Sequence, residues 1–331
     1  MTAWLAAFAI TLIAVVSIGA PAHAAFPGTP GWIAYSKVKH DEATGTSGGL
    51  LAHSPFRLGR NFRLTSNPND SAPAFSPNGR QIVFARRATF PELGTHIYLA
   101  NADGSGLAPL TAGVEIDSNP SFSRDGRQIV FDRRPAIGGP SHIFIVNVDG
   151  SGLRQLTSGA GNDGDPTFTP NGRRIVFTGN RDPDSSTDRS DIFSMKASGT
   201  DLRVLVDGPR IETEPDVSPN GRRVAFVSNR SNGPNIFVAR MNGTRVRQLT
   251  HTPGRFSDID YLHPSWAPDG KHIALLSETR YLSDLEVMRS DGTQRKSFEG
   301  AGHEAEGFGT YIGPPSWGNL GKELRGAGAG R

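Results

Sequence analysis

Acidic side chains recur along this chain at intervals that would gather them on one surface of a repeated fold. They are Asp70, Asp117, Asp163 with Asp165, Glu212 with Glu214, Asp258 with Asp260, and Glu304 with Glu306. A ring of carboxylates raises the local negative potential and draws cations or basic segments. Calcium, bound by oxygens that include several carboxylates, is the candidate ion. An arginine follows each of the first five groups, at Arg86, Arg133, Arg181, Arg230 and Arg280. Internal pairing with these arginines is the competing reading of the same acids. Histidine adds a second kind of chemistry. His263 stands directly before Pro264, close to Asp258 and Asp260, and is the candidate for catalysis. His251, His263 and His303 are the candidate metal ligands, although their spacing matches no zinc motif. Gly45-Thr46-Ser47-Gly48-Gly49 matches the Gly-x-Ser-x-Gly pattern, but without the strand, tight turn and helix that a nucleophile elbow needs. We read it as a coincidence in a glycine-rich loop.

The elements that must carry these residues follow from a motif that occurs five times, Pro-x-aromatic-Ser/Thr-x-Asn/Asp-Gly-Arg/Lys-x-Ile/Val in outline. The first copy runs from Pro73 to Ile82, and the others begin at Pro120, Pro166, Pro215 and Pro264. The glycines fall at 79, 126, 172, 221 and 270. A period of about 40–50 residues built from short strands indicates a β-propeller with one four-stranded blade per repeat. Within a repeat, Pro-x-aromatic is the first strand. Ser-Pro-Asn-Gly turns the chain, with glycine in the left-handed position. Gln128-Ile129-Val130-Phe131 typifies the second strand, His142 to Val146 the third and Leu153 to Thr157 the fourth. His96 and His142 share one slot at the start of the third strand, filled later by Asp191, Asn235 and Asp284. That equivalence suggests a shared hydrogen-bonding role.

Five full repeats run from about residue 70 to 298, and two partial ones remain. Gly31 to Ser36, Leu50 to His53 and Asn61 to Thr65 supply a second, third and fourth strand. Pro315-Ser316-Trp317-Gly318 supplies a first strand. We therefore expect an all-β, six-bladed propeller of antiparallel blades, its last blade closed by both chain ends, which leaves no free sheet edge.

The repeats resemble the TolB-like β-propeller, a WD-like repeat of bacterial exported proteins, over about residues 31–318. The resemblance implies a propeller alone, without the α/β domain that precedes it in TolB.

Residues 1–36 contain no Asp, Glu, Lys or Arg, Trp4 to Ile18 is apolar, and Ala22-His23-Ala24 forms a small-x-small cleavage site. This reads as a signal peptide over residues 1–24 and an exported protein, in periplasm, cell wall or medium. The alternative is a membrane anchor through residues 3–20. Residues 319–331 are glycine-rich and read as a disordered tail. A net charge of +3 without like-charge runs does not suggest nucleic acid. The chain has no cysteine, which excludes disulfides and thiol catalysis. We expect a monomer.

Strand order places the crossings between blades and the second-to-third loops on one face. The longest of these loops are residues 37–49, 86–95, 181–190 and 278–283. Variable loops on a rigid scaffold are where binding usually lies. The expected function is binding of a protein or peptide at an acidic channel mouth, with a bound cation as an option. The alternative is a metal-assisted hydrolase or polysaccharide lyase centred on His263.

Overall fold

The computed structural model describes residues 30–41, 45–54, 61–136, 138–181, 189–253, 258–279, 283–298 and 310–319. Among these, every regular element is a strand and none is helical. Blade 1 consists of Asp70–Phe75, Gln81–Arg87, Thr95–Asn101 and Ala108–Pro109. Blades 2 to 5 repeat that order, beginning at Ile116–Phe122, Asp163–Phe168, Glu212–Val217 and Asp260–Trp266. All neighbouring strands within a blade are antiparallel. A single parallel bridge, Thr95 with Ile116, links blades 1 and 2.

Blade 6 is made from both ends of the described chain. Pro30–Asp41 pairs with Gly45–His53 and, on its other side, with Thr310–Ile312 and Ser316–Asn319. The first strands of the six blades touch in cyclic order, and Ser316–Asn319 contacts the first strands of both blade 5 and blade 1. The ring is thus closed by Trp317, whose side chain is buried with Ile33, Tyr35 and Leu276. Its backbone N–H donates to Ser265 Oγ of blade 5 at 3.2 Å.

One expected loop is mostly strand. Residues 37–41 and 45–49 continue the strand pair, with Lys37 opposite Gly49 and Asp41 opposite Gly45. The Gly-x-Ser-x-Gly residues lie in this hairpin, so they make no nucleophile elbow.

The recurring turn has a local cause. Ser76 Oγ donates to Asn78 Oδ1 at 2.8 Å, which also accepts the Arg80 N–H at 3.0 Å, while Ser76 Oγ accepts the Gln81 N–H at 2.9 Å. The same set recurs around Asp125, Asn171 and Asn220. Gly79, Gly126, Gly172, Gly221 and Gly270 all take φ of 65–70°, where a side chain would be strained.

Between blades the core is apolar. Second-strand residues such as Ile82, Val130, Ile175 and Val224 are fully buried. Cross-strand aromatic pairs fill blades 1 to 4, Phe84 with Tyr98, Phe131 with Phe144, Phe177 with Phe193 and Phe226 with Phe237, at centroid distances of 5.8–6.0 Å.

Candidate functional site

The recurring acids divide into two sets. The first set lies three residues before the motif proline. Asp70 accepts two hydrogen bonds from Arg86, and Asp117 two from Arg133 at 2.6 and 2.8 Å. Asp163 accepts one from Arg181 at 2.7 Å and Glu212 one from Arg230 at 2.8 Å. All four carboxylates are fully buried. Each guanidinium also lies over the aromatic pair of its own blade, at 4.8–5.9 Å from the ring centroids. These four acids therefore act as staples within blades, with a cation held by charge on one side and by ring faces on the other.

Blades 5 and 6 break the series at this position. Its occupants there are Tyr261 and Ile312, both buried. Asp260, grouped with the other acids by sequence, sits one residue earlier, opposite Glu278. Asp258 is exposed. Burial, and secondarily the charge of Asp258, push the Asp260 carboxyl above its usual range.

The second set occupies the residue just before the motif proline. Here Ala72, Asn119, Asp165, Glu214 and His263 all adopt left-handed φ of 51–57°. Each sits in a register shift of the first strand. Because Ala72 shares the conformation, the backbone belongs to the blade and only the side chain is specific. The side chains form a relay between successive blades. Asn119 Nδ2 donates to Asp165 Oδ1 at 3.0 Å, and Thr178 Oγ1 donates to Asp165 Oδ2 at 2.9 Å. Thr178 Oγ1 in turn accepts the Glu214 N–H at 3.1 Å. Glu214 Oε2 accepts the His263 N–H at 2.7 Å and lies 2.8 Å from His263 Nδ1.

Among the described residues no arginine neutralises Asp165 or Glu214 in this relay. Burial and the nearby Glu214 charge push Asp165 up to about 7. Burial, then the Asp165 charge, hold Asp132 well above the carboxylate range. Burial likewise raises Glu278. For His263, burial alone would lower the pKa, but Glu214, Glu278 and Asp165 outweigh it and the imidazole is raised. The cluster thus holds protons more readily than isolated groups would.

Asp132, Thr178 and Glu278 were not singled out by sequence. The signal was a polar residue directly after the second-strand aromatic, as in Phe131-Asp132 and Phe177-Thr178. His251 is exposed, whereas His263 is buried in the relay. His303, Glu304, Glu306 and Arg280 lie outside the described residues. Among the described residues no three His, Asp or Glu side chains are arranged to hold a metal ion. His142 Nδ1 stands 3.8 Å from Asp163 Oδ2 of the next blade, an ion-pair distance rather than a hydrogen bond.

Comparison with known proteins bears on the fold. The family described as TolB beta propeller domain matches residues 184–306. Among solved structures, TolB from Acinetobacter baumannii superposes with a TM-score of 0.69 at 20% identity, covering 87% of this chain and 67% of that one. The fold is that of the TolB-like β-propellers. Putative TolB from Agrobacterium tumefaciens gives 0.61 at 19% identity, covering 80% of this chain and 88% of that one. An oligogalacturonate lyase in complex with manganese gives 0.51 at 13% identity, over 82% of this chain and 74% of that one. No curated protein matches the sequence. Binding proteins and enzymes both occur on this fold, so function must be argued from the site.

Proposed function

We propose that this chain is an exported binding propeller that receives a basic segment of a protein or peptide at the crossing face. The observation that supports this is the relay of Asp165, Glu214 and His263, with Glu278 and Asp260 beside it. Among the described residues, it is the buried part of the acidic pattern that no arginine staples. A positively charged segment arriving there would supply the missing counter-charge, and Asp165 and Glu278 would release the protons that burial makes them hold. Asp70, Asp117, Asp163 and Glu212 would then shape the mouth rather than touch the partner, because arginine already engages them. Export rests on the apolar segment Trp4 to Ile18 and the small-x-small site that follows it.

The enzymatic alternative rests on one contact, the 2.8 Å approach of His263 Nδ1 to Glu214 Oε2. A carboxylate that orients an imidazole is a common part of acid–base sites. One experiment separates the readings. The full chain is titrated with a fluorescent oligo-arginine peptide, and in parallel assayed for absorbance of unsaturated product from polygalacturonate. Binding that weakens at least tenfold in Glu214→Gln, without any turnover, supports the binding reading. No peptide binding at low salt refutes it. Turnover that vanishes in His263→Gln would establish the enzyme instead.

A further inference from the structure

The face opposite the crossings carries a second repeated pattern. The first-to-second and third-to-fourth turns both open on it. Directly after each first-turn glycine stands a cation, Arg80, Arg127, Arg173, Arg222 or Lys271, and all five are exposed. The outer turns carry an aliphatic residue at one equivalent point in four blades. Leu107, Leu153, Leu202 and Val246 are 45, 46, 46 and 36% exposed. Each follows a residue held in left-handed conformation, Gly106, Gly152, Asp201 and Arg245, with φ of 56–69°. The shared backbone gives the four side chains a common height on the ring. Arg154 and Arg247 come next to two of them, and each guanidinium donates to a backbone carbonyl of the following blade at 3.0 Å. A shallow depression of about 560 Å³ between the turns of blades 2 to 4 is lined by Arg124, Asn171, Arg173 and Asn220. Carboxylates are present too. Asp103, Asp149 and Asp291 cap their own turns by accepting the N–H and hydroxyl of the residue two places on.

Single exposed leucines are ordinary on protein surfaces. An outer ring of four at matched exposure around an inner ring of five cations is a different object. It is a level surface that offers aliphatic groups and positive charge together. Soluble polyanions need only the charge. An anionic bilayer uses both, since aliphatic side chains enter the headgroup boundary while cations meet lipid phosphates.

We infer that the turn face docks on an anionic phospholipid surface, through the ring of Leu107, Leu153, Leu202 and Val246 and the five cations inside it. The crossing face then points away from the lipid, free for a partner. The chain has no cysteine, so a single introduced thiol can report the orientation. In the full chain, Leu153→Cys carries an environment-sensitive fluorophore. Phe90→Cys, 91% exposed on the opposite face, carries the same label as control. Vesicles of phosphatidylcholine alone are compared with vesicles that also contain phosphatidylglycerol. The expected result is a blue shift at position 153, with quenching by brominated lipid, on anionic vesicles only, and silence at position 90. Arg127→Glu, Arg173→Glu and Arg222→Glu combined should weaken that response by roughly a hundredfold. Their exposure should leave the melting temperature unchanged. A silent label at 153, or an equal response at 90, overturns the inference. Dextran sulfate binding as tight as vesicle binding, with the label at 153 still in water, overturns it in favour of a soluble polyanion.

Discussion

The arginine staples make a quantitative prediction because the chain contains its own control. In blade 2 the Asp117 carboxylate is fully buried, and the Arg133 side chain is 13% exposed. Two hydrogen bonds at 2.6 and 2.8 Å join them, and the guanidinium carbon lies 5.6 and 5.3 Å from the centroids of Phe131 and Phe144. Arg133→Met keeps most of the packing over the rings but leaves a buried carboxylate unpaired. Loss of one partner from a buried pair costs about 3–5 kcal/mol. Asp117→Ile costs less, about 1–2 kcal/mol, because the arginine tip already has an opening to water. The double variant removes both charges and recreates the apolar choice that blades 5 and 6 make with Tyr261 and Ile312. It should fall within about 1 kcal/mol of the wild type, since apolar replacements of buried ion pairs are often neutral. The cycle thus gives a coupling of roughly 3–7 kcal/mol. Urea unfolding followed by circular dichroism yields the midpoints. Additive single losses, or a loss under about 1 kcal/mol for Arg133→Met, would show that the staple is surface decoration.

Three further outcomes follow from the same geometry. Trp317→Ala removes the buried side chain that closes the ring and should cost about 3–5 kcal/mol, seen as early proteolysis at both chain ends; a melting temperature within a degree of wild type would show that closure rests elsewhere. For pH, the native state retains a proton on Asp165 between its ordinary value of 3.8 and about 7, while the unfolded state does not. Stability should therefore fall as pH rises through that window, by up to about 4 kcal/mol. The raised His263 acts with the same sign, contributing stability below its ordinary 6.5 that is lost as pH rises through its folded value. Asp165→Asn should flatten the profile between pH 4 and 7, and an unchanged slope in denaturant midpoints would refute the assignment. Finally, Glu214→Gln should return the His263 titration, followed by its imidazole proton resonances, to a lower pH, because it deletes the nearest negative charge; an unmoved midpoint would place the cause elsewhere.

The propeller was legible because its determinants are local and repeated. Each Ser-x-Asn-Gly turn is fixed by hydrogen bonds within five residues, so sequence alone exposes it. Closure by Ser316–Asn319 was legible too, because Trp317 copies the position of Trp266. The site was harder to read. Sequence spacing placed Asp163 and Asp165 in one pair, yet a left-handed residue and a register shift give them different neighbours. Asp163 meets Arg181, and Asp165 meets Asn119 of the preceding blade. The segment 37–49 misled for a simpler reason. Its three glycines suggested a loop, but their pairing with Lys37, Val38 and Asp41 extends the hairpin, a contact that composition does not reveal.

The departures from the repeat carry the functional argument. Four blades spend their first acid on an arginine, and the two blades that lack the acid fill its place with buried Tyr261 and Ile312. That repetition marks the staple as part of the architecture. The position before the proline behaves oppositely. Its backbone is the same in five blades while its side chain runs from Ala72 through Asn119 and Asp165 to Glu214 and His263. A position held constant in conformation and varied in chemistry around a ring is an asymmetric surface on a symmetric frame. Asymmetry has no structural use there, since Ala72 builds the same turn without it. The polar arc over blades 2 to 5 is therefore where selection by a ligand would leave its mark, and Asp165, Glu214 and His263 are the residues with which to begin.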